Sequence, residues 1–346
     1  MRTIDFCSAL NEGLAQEMRR DPSVFVYGIG VPDHKKVFGS TRGLVEEFGS
    51  ERCFDTPLCE ETMTGFALGA AINGLKPVHV HIRVDFMMLA LNQLANMLSS
   101  YQYHARGKVK LPIVIRAVVG RGWGQGSQHS KSMHSLFAHI PGLKVVAPTR
   151  PVDAKGLLIS AIRDPNPVIF IEHRWLYWAV GEVPEESFAI PIGPGNVLRA
   201  GRDVTVVATS WMNVEAMKAA DILARHGVEV EVIDVRTIAP FDDSEVIRSV
   251  KKTGLCIVAD NDWLESGFSA EVAARVADKC FGILRAPVGR IGFPPTPCPT
   301  VRCLEDEFYP NAKTIVTAVT EELGRPPVDM TGEDFYSHER RFSGPF

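Results

Sequence analysis

Short apolar runs alternate with stretches of helical spacing twice over, with a proline- and glycine-rich break between the two rounds. That pattern predicts mostly parallel sheets covered by helices on both faces. In the first round Phe6, Leu10, Leu14 and Met18 step by four, which predicts a helix over residues 3–20 with Thr3 as its N-cap. Val24 to Tyr27 is an apolar run ending at Gly28 and reads as a buried strand. Val78-His79-Val80-His81-Ile82 alternates and reads as another, with a polar face on one side. Residues 87–101 return to helical spacing through Leu91, Leu94 and Leu98. Strands follow at 113–119, 144–147 and 168–171, with a helix at 153–163. Residues 181–201 break the rhythm with Pro184, Pro191, Gly193, Pro194 and Gly195, a linker composition. The alternation then restarts with a strand at 204–209, a helix at 213–226 and a strand at 228–233. The fold class expected is α/β, with two doubly wound domains over 1–190 and 191–325 and an extended tail over 326–346.

Composition narrows function mainly by exclusion. Thirty-seven basic and 41 acidic residues give a net charge of −4, no basis for binding nucleic acid or an anionic membrane. No apolar run is long enough to span a bilayer. The seven cysteines are irregularly spaced and form no Cys-x-x-Cys pair, which suits reduced thiols in the cytoplasm.

Three segments carry candidate chemistry. Asp55-Thr56-Pro57-Leu58-Cys59-Glu60 precedes a helical run rich in Gly and Ala, and Pro57 biases Thr56 toward extended backbone. Glu60 is thereby expected at a strand-to-helix junction, where α/β sheets build their sites. The plainer reading is a solvated acid favoured by the helix N-terminus. The second segment runs from Gly120 to Ser130 with alternating glycines and presents His129, a residue type suited to proton transfer. The third is His79, His81, Arg83 and Asp85, read either as an ordinary polar strand face or as a basic lining for an anionic ligand.

Taken together the chain resembles the beta chain of the decarboxylating first component of 2-oxoacid dehydrogenase complexes. The likeness includes Asp55-Thr56-Pro57 with Glu60, then Gly69-Ala70-Ala71 through Gly74-Leu75-Lys76-Pro77, and Gln128-His129-Ser130. It continues through 141–148, Asp153-Ala154-Lys155-Gly156, 161–168, Asp234-Val235-Arg236-Thr237-Ile238 with Pro240, and Pro297 with Leu304-Glu305.

The resemblance implies a pyrimidine-binding thiamine diphosphate domain followed by a transketolase-type C-terminal domain. It also implies a separate alpha subunit that holds the diphosphate and Mg2+ in an α2β2 assembly. The absence of a Gly-Asp-Gly segment here agrees with that division. Glu60 is implied to meet the ring nitrogen of the aminopyrimidine and share a proton with it. Phe86 is implied to pack on that ring, with Leu58 and Ile82 as apolar neighbours, and His129 to face the reacting end. Ile113, Ala161, Asp164 and Asn166 correspond to a loop that holds K+ in some members. The implied reaction decarboxylates a 2-oxo acid and passes the acyl group to the lipoamide of a lipoyl acyltransferase. Two alternatives stand beside it: half of a split transketolase or carboligase with an aldehyde acceptor, and a non-catalytic structural subunit. Lys131, Trp123 and the strand carrying His79, His81 and Arg83 depart from the family pattern. Arg83 is expected either at the substrate entrance, selecting an anionic partner, or in a salt bridge between subunits.

Overall fold

Asp5 turns the chain from strand into helix. Residues Arg2–Asp5 form β1, which pairs antiparallel with β8, Val180–Val183, so that Thr3 stands opposite Glu182. The Asp5 carboxylate then accepts the Ser8 N–H at 2.6 Å and caps α1, Phe6–Arg20. The expected cap at Thr3 is therefore corrected. Thr3 is committed to a strand pairing that lies far away in sequence, and the carboxylate nearer the helix does the capping.

The computed structural model describes residues 1–33, 37–121 and 125–336, and it divides into two units. The first takes 1–121 and 128–192; the second takes 193 onward, with 125–127 grouped with it. In the first unit β2 is Val24–Gly28, α2 Leu44–Phe48, β3 Cys53–Phe54, α3 Glu60–Ile72 and β4 Lys76–His81. A broken helical stretch follows, with α4 at Val84–Met87, a π-helical turn at Gln93–Leu98 and α5 at Ser99–His104. After it come β5 Val114–Val119, α6 His134–Ala138, β6 Lys144–Val146, α7 Pro151–Arg163 and β7 Val168–His173.

Strands β6, β7, β5, β4, β2 and β3 lie side by side in that order, all parallel. The chain leaves β2 toward β3 and then crosses back over β2 to β4. The carboxyl ends of these three strands therefore flank a switch point, where open α/β sheets form crevices. At that end Gly28 has φ +147°, and a Cβ there would lie 2.2 Å from the Val80 oxygen. No side chain fits between the two strands at this position. Helices α1 and α7 pack together, with Gly13 against Lys155 and Glu17 accepting from Arg163, and their Leu10, Leu14, Leu158 and Ile162 are fully or almost fully buried.

The second unit contains β9 Asn196–Arg199, β10 Val204–Ala208, α8 Trp211–Arg225, β11 Val230–Asp234 and β12 Thr237–Ala239. It continues with α9 Ser244–Thr253, β13 Cys256–Trp263, α10 Phe268–Lys279 and β14 Gly289–Phe293, then α11 Arg302–Phe308 and α12 Ala312–Glu322. Its sheet runs β14, β13, β10, β11, β9, parallel except for the β9 edge. Ala216, Ala220 and Leu223 of α8 and Ile315, Val316 and Val319 of α12 close its core. Residues 325–336 carry no helix or strand, and Val328, Met330 and Phe335 pack on that core. The remainder of the expected tail lies outside the described residues. Among the described residues no helix is long and apolar enough to cross a membrane.

Candidate functional site

Glu60 is the first residue of α3, at the junction its sequence context predicts. The chain reaches it through a loop fastened at both ends. Asp55 Oδ1 accepts the N–H of Gly30, just past β2, at 3.0 Å and that of Thr56 at 2.8 Å. Cys59 N–H then bonds the Pro57 carbonyl at 2.8 Å, closing a tight turn into the helix. Cys59 makes no side-chain cap, so the first turn is left to the acids Glu60 and Glu61, which suit its partial positive charge.

Glu60 lines a small concavity with Ile29, Thr56, His81, Ile82 and Phe86. One end of this hollow is a carboxylate and another is an aromatic ring beside an aliphatic side chain. The chemistry of this lining suits a flat, partly polar heterocycle, although the hollow itself is narrow. Leu58 is placed differently from its expected neighbours: it is 81% exposed and is not part of that lining.

Phe86 sits on α4, and the His129 ring stands edge-on to it, with centroids 5.4 Å apart and planes at 85°. The His129 segment is anchored two residues later. Lys131 gives both its Nζ, at 3.2 Å, and its backbone N–H, at 3.4 Å, to Asp85 Oδ1. Burial raises the Asp85 carboxyl above the usual range, and Lys131 works against that shift. Trp123 lies outside the described residues.

The strand expected to be half-buried is covered on both faces, and its polar residues are inside. Arg83 is 3% exposed and its Nη1 donates to the Gly120 carbonyl at 2.5 Å. This ties the end of β4 to the end of β5, at the start of the glycine-rich loop. Gly120 itself has φ +84°, and a Cβ there would fall 2.6 Å from the His173 ring, so the turn needs glycine. His79 stacks on Tyr27 with centroids 4.5 Å apart and planes 7° from parallel, and His81 continues the row 4.2 Å farther on. Burial holds both imidazoles neutral, with the His81 pKa pulled down to about 3. The sequence offered these two histidines as a basic lining for an anionic ligand; they do line the hollow, but burial leaves them neutral rather than basic. The available signal was their spacing of two on the strand after a Glu60 helix.

Of the expected cation loop, Ala161, Asp164 and Asn166 are linked at the end of α7, and Ile113 is tied to the start of β7 through Val168. Asp164 Oδ1 accepts from Asn166 N and Nδ2 at 2.9 and 2.8 Å, and its Oδ2 takes Lys144 Nζ at 2.5 Å. The Ala161 and Ile113 carbonyls accept the Asp164 and Val168 N–H groups.

Comparison with known proteins decides the family. Residues 2–178 match the transketolase pyrimidine-binding domain and residues 193–315 the transketolase C-terminal domain. The chain is 42% identical to the acetoin:2,6-dichlorophenolindophenol oxidoreductase subunit beta of Cupriavidus necator, over 93% of this chain and 98% of that one. It belongs to the family of 2-oxoacid dehydrogenase E1 beta subunits.

Other members of the family agree. The mitochondrial pyruvate dehydrogenase E1 component subunit beta-2 of Oryza sativa is 40% identical, covering 90% of this chain and 84% of that one. The 2-oxoisovalerate dehydrogenase subunit beta of Bacillus subtilis is 38% identical, covering 93% and 99%. A solved split-gene transketolase, an inactive beta4 tetramer, superposes with a TM-score of 0.74 at 22% identity, covering 93% and 98%, and shares the fold. An E1 beta subunit is one part of a heteromeric thiamine diphosphate enzyme, and this chain is such a part.

Proposed function

We propose that this chain provides the pyrimidine-ring half of a thiamine diphosphate site in an α2β2 enzyme that decarboxylates a 2-oxo acid and hands the acyl group to lipoamide. The observation that carries this reading is the lining of one hollow by Glu60, Ile82 and Phe86, with His129 against Phe86. When bound, thiamine diphosphate supplies the electron sink for loss of CO2. Glu60 holds a proton at the ring nitrogen of the aminopyrimidine. Phe86 and Ile82 flank the ring and keep water from it, with Leu58 closing over it once a partner chain covers that exposed side chain. His129 holds or delivers a proton at the reacting end. The alpha subunit supplies the diphosphate and Mg2+ contacts, since this chain has no Gly-Asp-Gly segment. A lipoyl acyltransferase is the acceptor's carrier, and the cytoplasm the compartment. K+ is assigned to the loop of Ile113, Ala161, Asp164 and Asn166, where each backbone carbonyl keeps a second lone pair.

The test is reconstitution. The beta chain alone is expected neither to bind thiamine diphosphate tightly nor to decarboxylate pyruvate or branched 2-oxo acids, and addition of its alpha chain to restore both. Micromolar or tighter cofactor binding to the single chain in calorimetry overturns the shared site. Transfer of a two-carbon unit to an aldehyde, with none to lipoamide, overturns the acyl acceptor.

A further inference from the structure

Helix α3 runs back over β4, and one contact fixes their alignment. Thr64 Oγ1 lies 3.5 Å from His79 Nδ1, and Thr64 is fully buried. Glu60 is one turn earlier on the same helix face, roughly 6 Å toward the amino end. His81 is two residues later on the same strand face, roughly 6.6 Å toward the carboxyl end. The two steps are nearly equal and point the same way, so Glu60 comes opposite His81. Both residues line the same hollow.

His81 is 4% exposed, and its Nε2 is fully buried with no hydrogen-bond partner among the described residues. A buried imidazole nitrogen without a partner is costly, and native interiors rarely leave one. Tyr27 spends its hydroxyl on the Met63 carbonyl, at 2.7 Å, and His79 faces Thr64, so neither neighbour in the row is turned toward Nε2. Glu60 is half-buried, has a flexible side chain and lines the same hollow as the open nitrogen.

We propose that His81 is a positioning residue for Glu60, donating Nε2–H to one carboxylate oxygen and leaving the other for the cofactor ring. This rests on the cofactor reading above and adds a residue to it. A neutral imidazole suits the task, because it offers a donor without placing a second charge in the hollow. Burial keeps it neutral across the working pH range. A hydrogen bond donated to an ionised carboxylate favours that form over the protonated one, and removing the donor removes that preference.

The titratable and charged groups on β4 and the elements around it here are His79, Arg83, Tyr27, Glu61, Asp85, Lys131, Arg116 and His129. Arg116 is paired with Glu172, and Asp85 with Lys131. All of them persist in a Glu60→Gln variant, which therefore reports the background.

The experiment measures proton uptake when thiamine diphosphate binds the reconstituted alpha–beta complex. Calorimetry in buffers of different ionisation enthalpy gives the uptake at each pH, and Glu60→Gln supplies the baseline. The Glu60-dependent uptake sets in as Glu60 of the cofactor-free complex ionises, so its midpoint reports that pKa. His81→Phe and His81→Leu remove the nitrogen in two shapes, and either one that assembles serves. The expected result is a midpoint raised by about one pH unit in these variants. His81→Gln keeps a donor and is expected to hold the wild-type midpoint, and it carries the test if neither apolar variant assembles. An unmoved midpoint in the apolar variants, or a Gln variant whose midpoint rises by about a unit, overturns the role of His81. Wild-type uptake in Glu60→Gln overturns the cofactor reading of Glu60 instead.

Discussion

Lys131 grips Asp85 with two donors, the side-chain ammonium at 3.2 Å and the backbone N–H at 3.4 Å from the same oxygen. The residue after Asp85 is Phe86, and two residues before Lys131 is His129, so the pair sets how the two rings meet. The geometry of Lys131 here is that of an anchor for the His129 segment.

Lys131→Met is therefore expected to lower kcat/KM by about tenfold or more through misplacement of His129. The Tm is expected to change little, since an ion pair with one exposed partner contributes at most about 1 kcal/mol. Lys131→Arg is expected to restore most of the rate. Steady-state kinetics on the reconstituted enzyme check this; a Met variant with full activity removes the anchor from catalysis.

Glu60→Gln is expected to cost about 10² to 10⁴ in turnover of the reconstituted enzyme, because an amide cannot carry the shared proton. The substitution keeps the shape at the first turn of α3 and makes no buried cavity, so Tm and assembly with the alpha chain are expected to be near wild type. Turnover close to wild type would refute the assignment.

Arg83 is the residue on which two expectations diverged. Its burial and its bond to the Gly120 carbonyl favour structure over substrate choice. Arg83→Met removes a charged donor from a buried carbonyl, a change that costs about 1–3 kcal/mol. The expected outcome is a lower Tm and an equal loss of kcat/KM for 2-oxo acids with neutral and with anionic side chains. A loss confined to the anionic substrates returns Arg83 to substrate selection.

Local pattern made much of this legible, and what it missed depends on contacts distant in sequence. The run Val24–Tyr27 is apolar throughout because β2 is covered on both faces, and it read directly as a buried strand. Pro57 and the Gly-Ala helix placed Glu60 at a strand-to-helix junction, since both signals are local. Thr3 read as a cap because nothing near it reveals a strand partner at Glu182. The Val78–Ile82 alternation suggested one wet face, yet Tyr27 and α3 cover its histidines. Alternation reports two chemically different faces, and a ring stack satisfies it as well as water does. His129 and Phe86 are 43 positions apart, and only the folded chain brings their rings together.

Glu215 gives the second unit a pH dependence of its own. It is 3% exposed on α8 and accepts the Ala312 N–H at the start of α12 at 2.8 Å. Burial pushes its carboxyl from the ordinary 4.5 up to about 7. The folded state therefore binds a proton more tightly than the unfolded state does. Its contribution to stability is full below the ordinary value of 4.5, and it is lost as pH rises through about 7. The loss amounts to about 3 kcal/mol at mildly alkaline pH. Glu215→Gln keeps an acceptor for Ala312 and has no proton to lose. It is expected to match wild type in acid and to melt at higher temperature above neutrality. Thermal melts of both proteins on each side of neutral pH check the sign, and a Gln variant that gains nothing at alkaline pH refutes the assignment of the slope to Glu215.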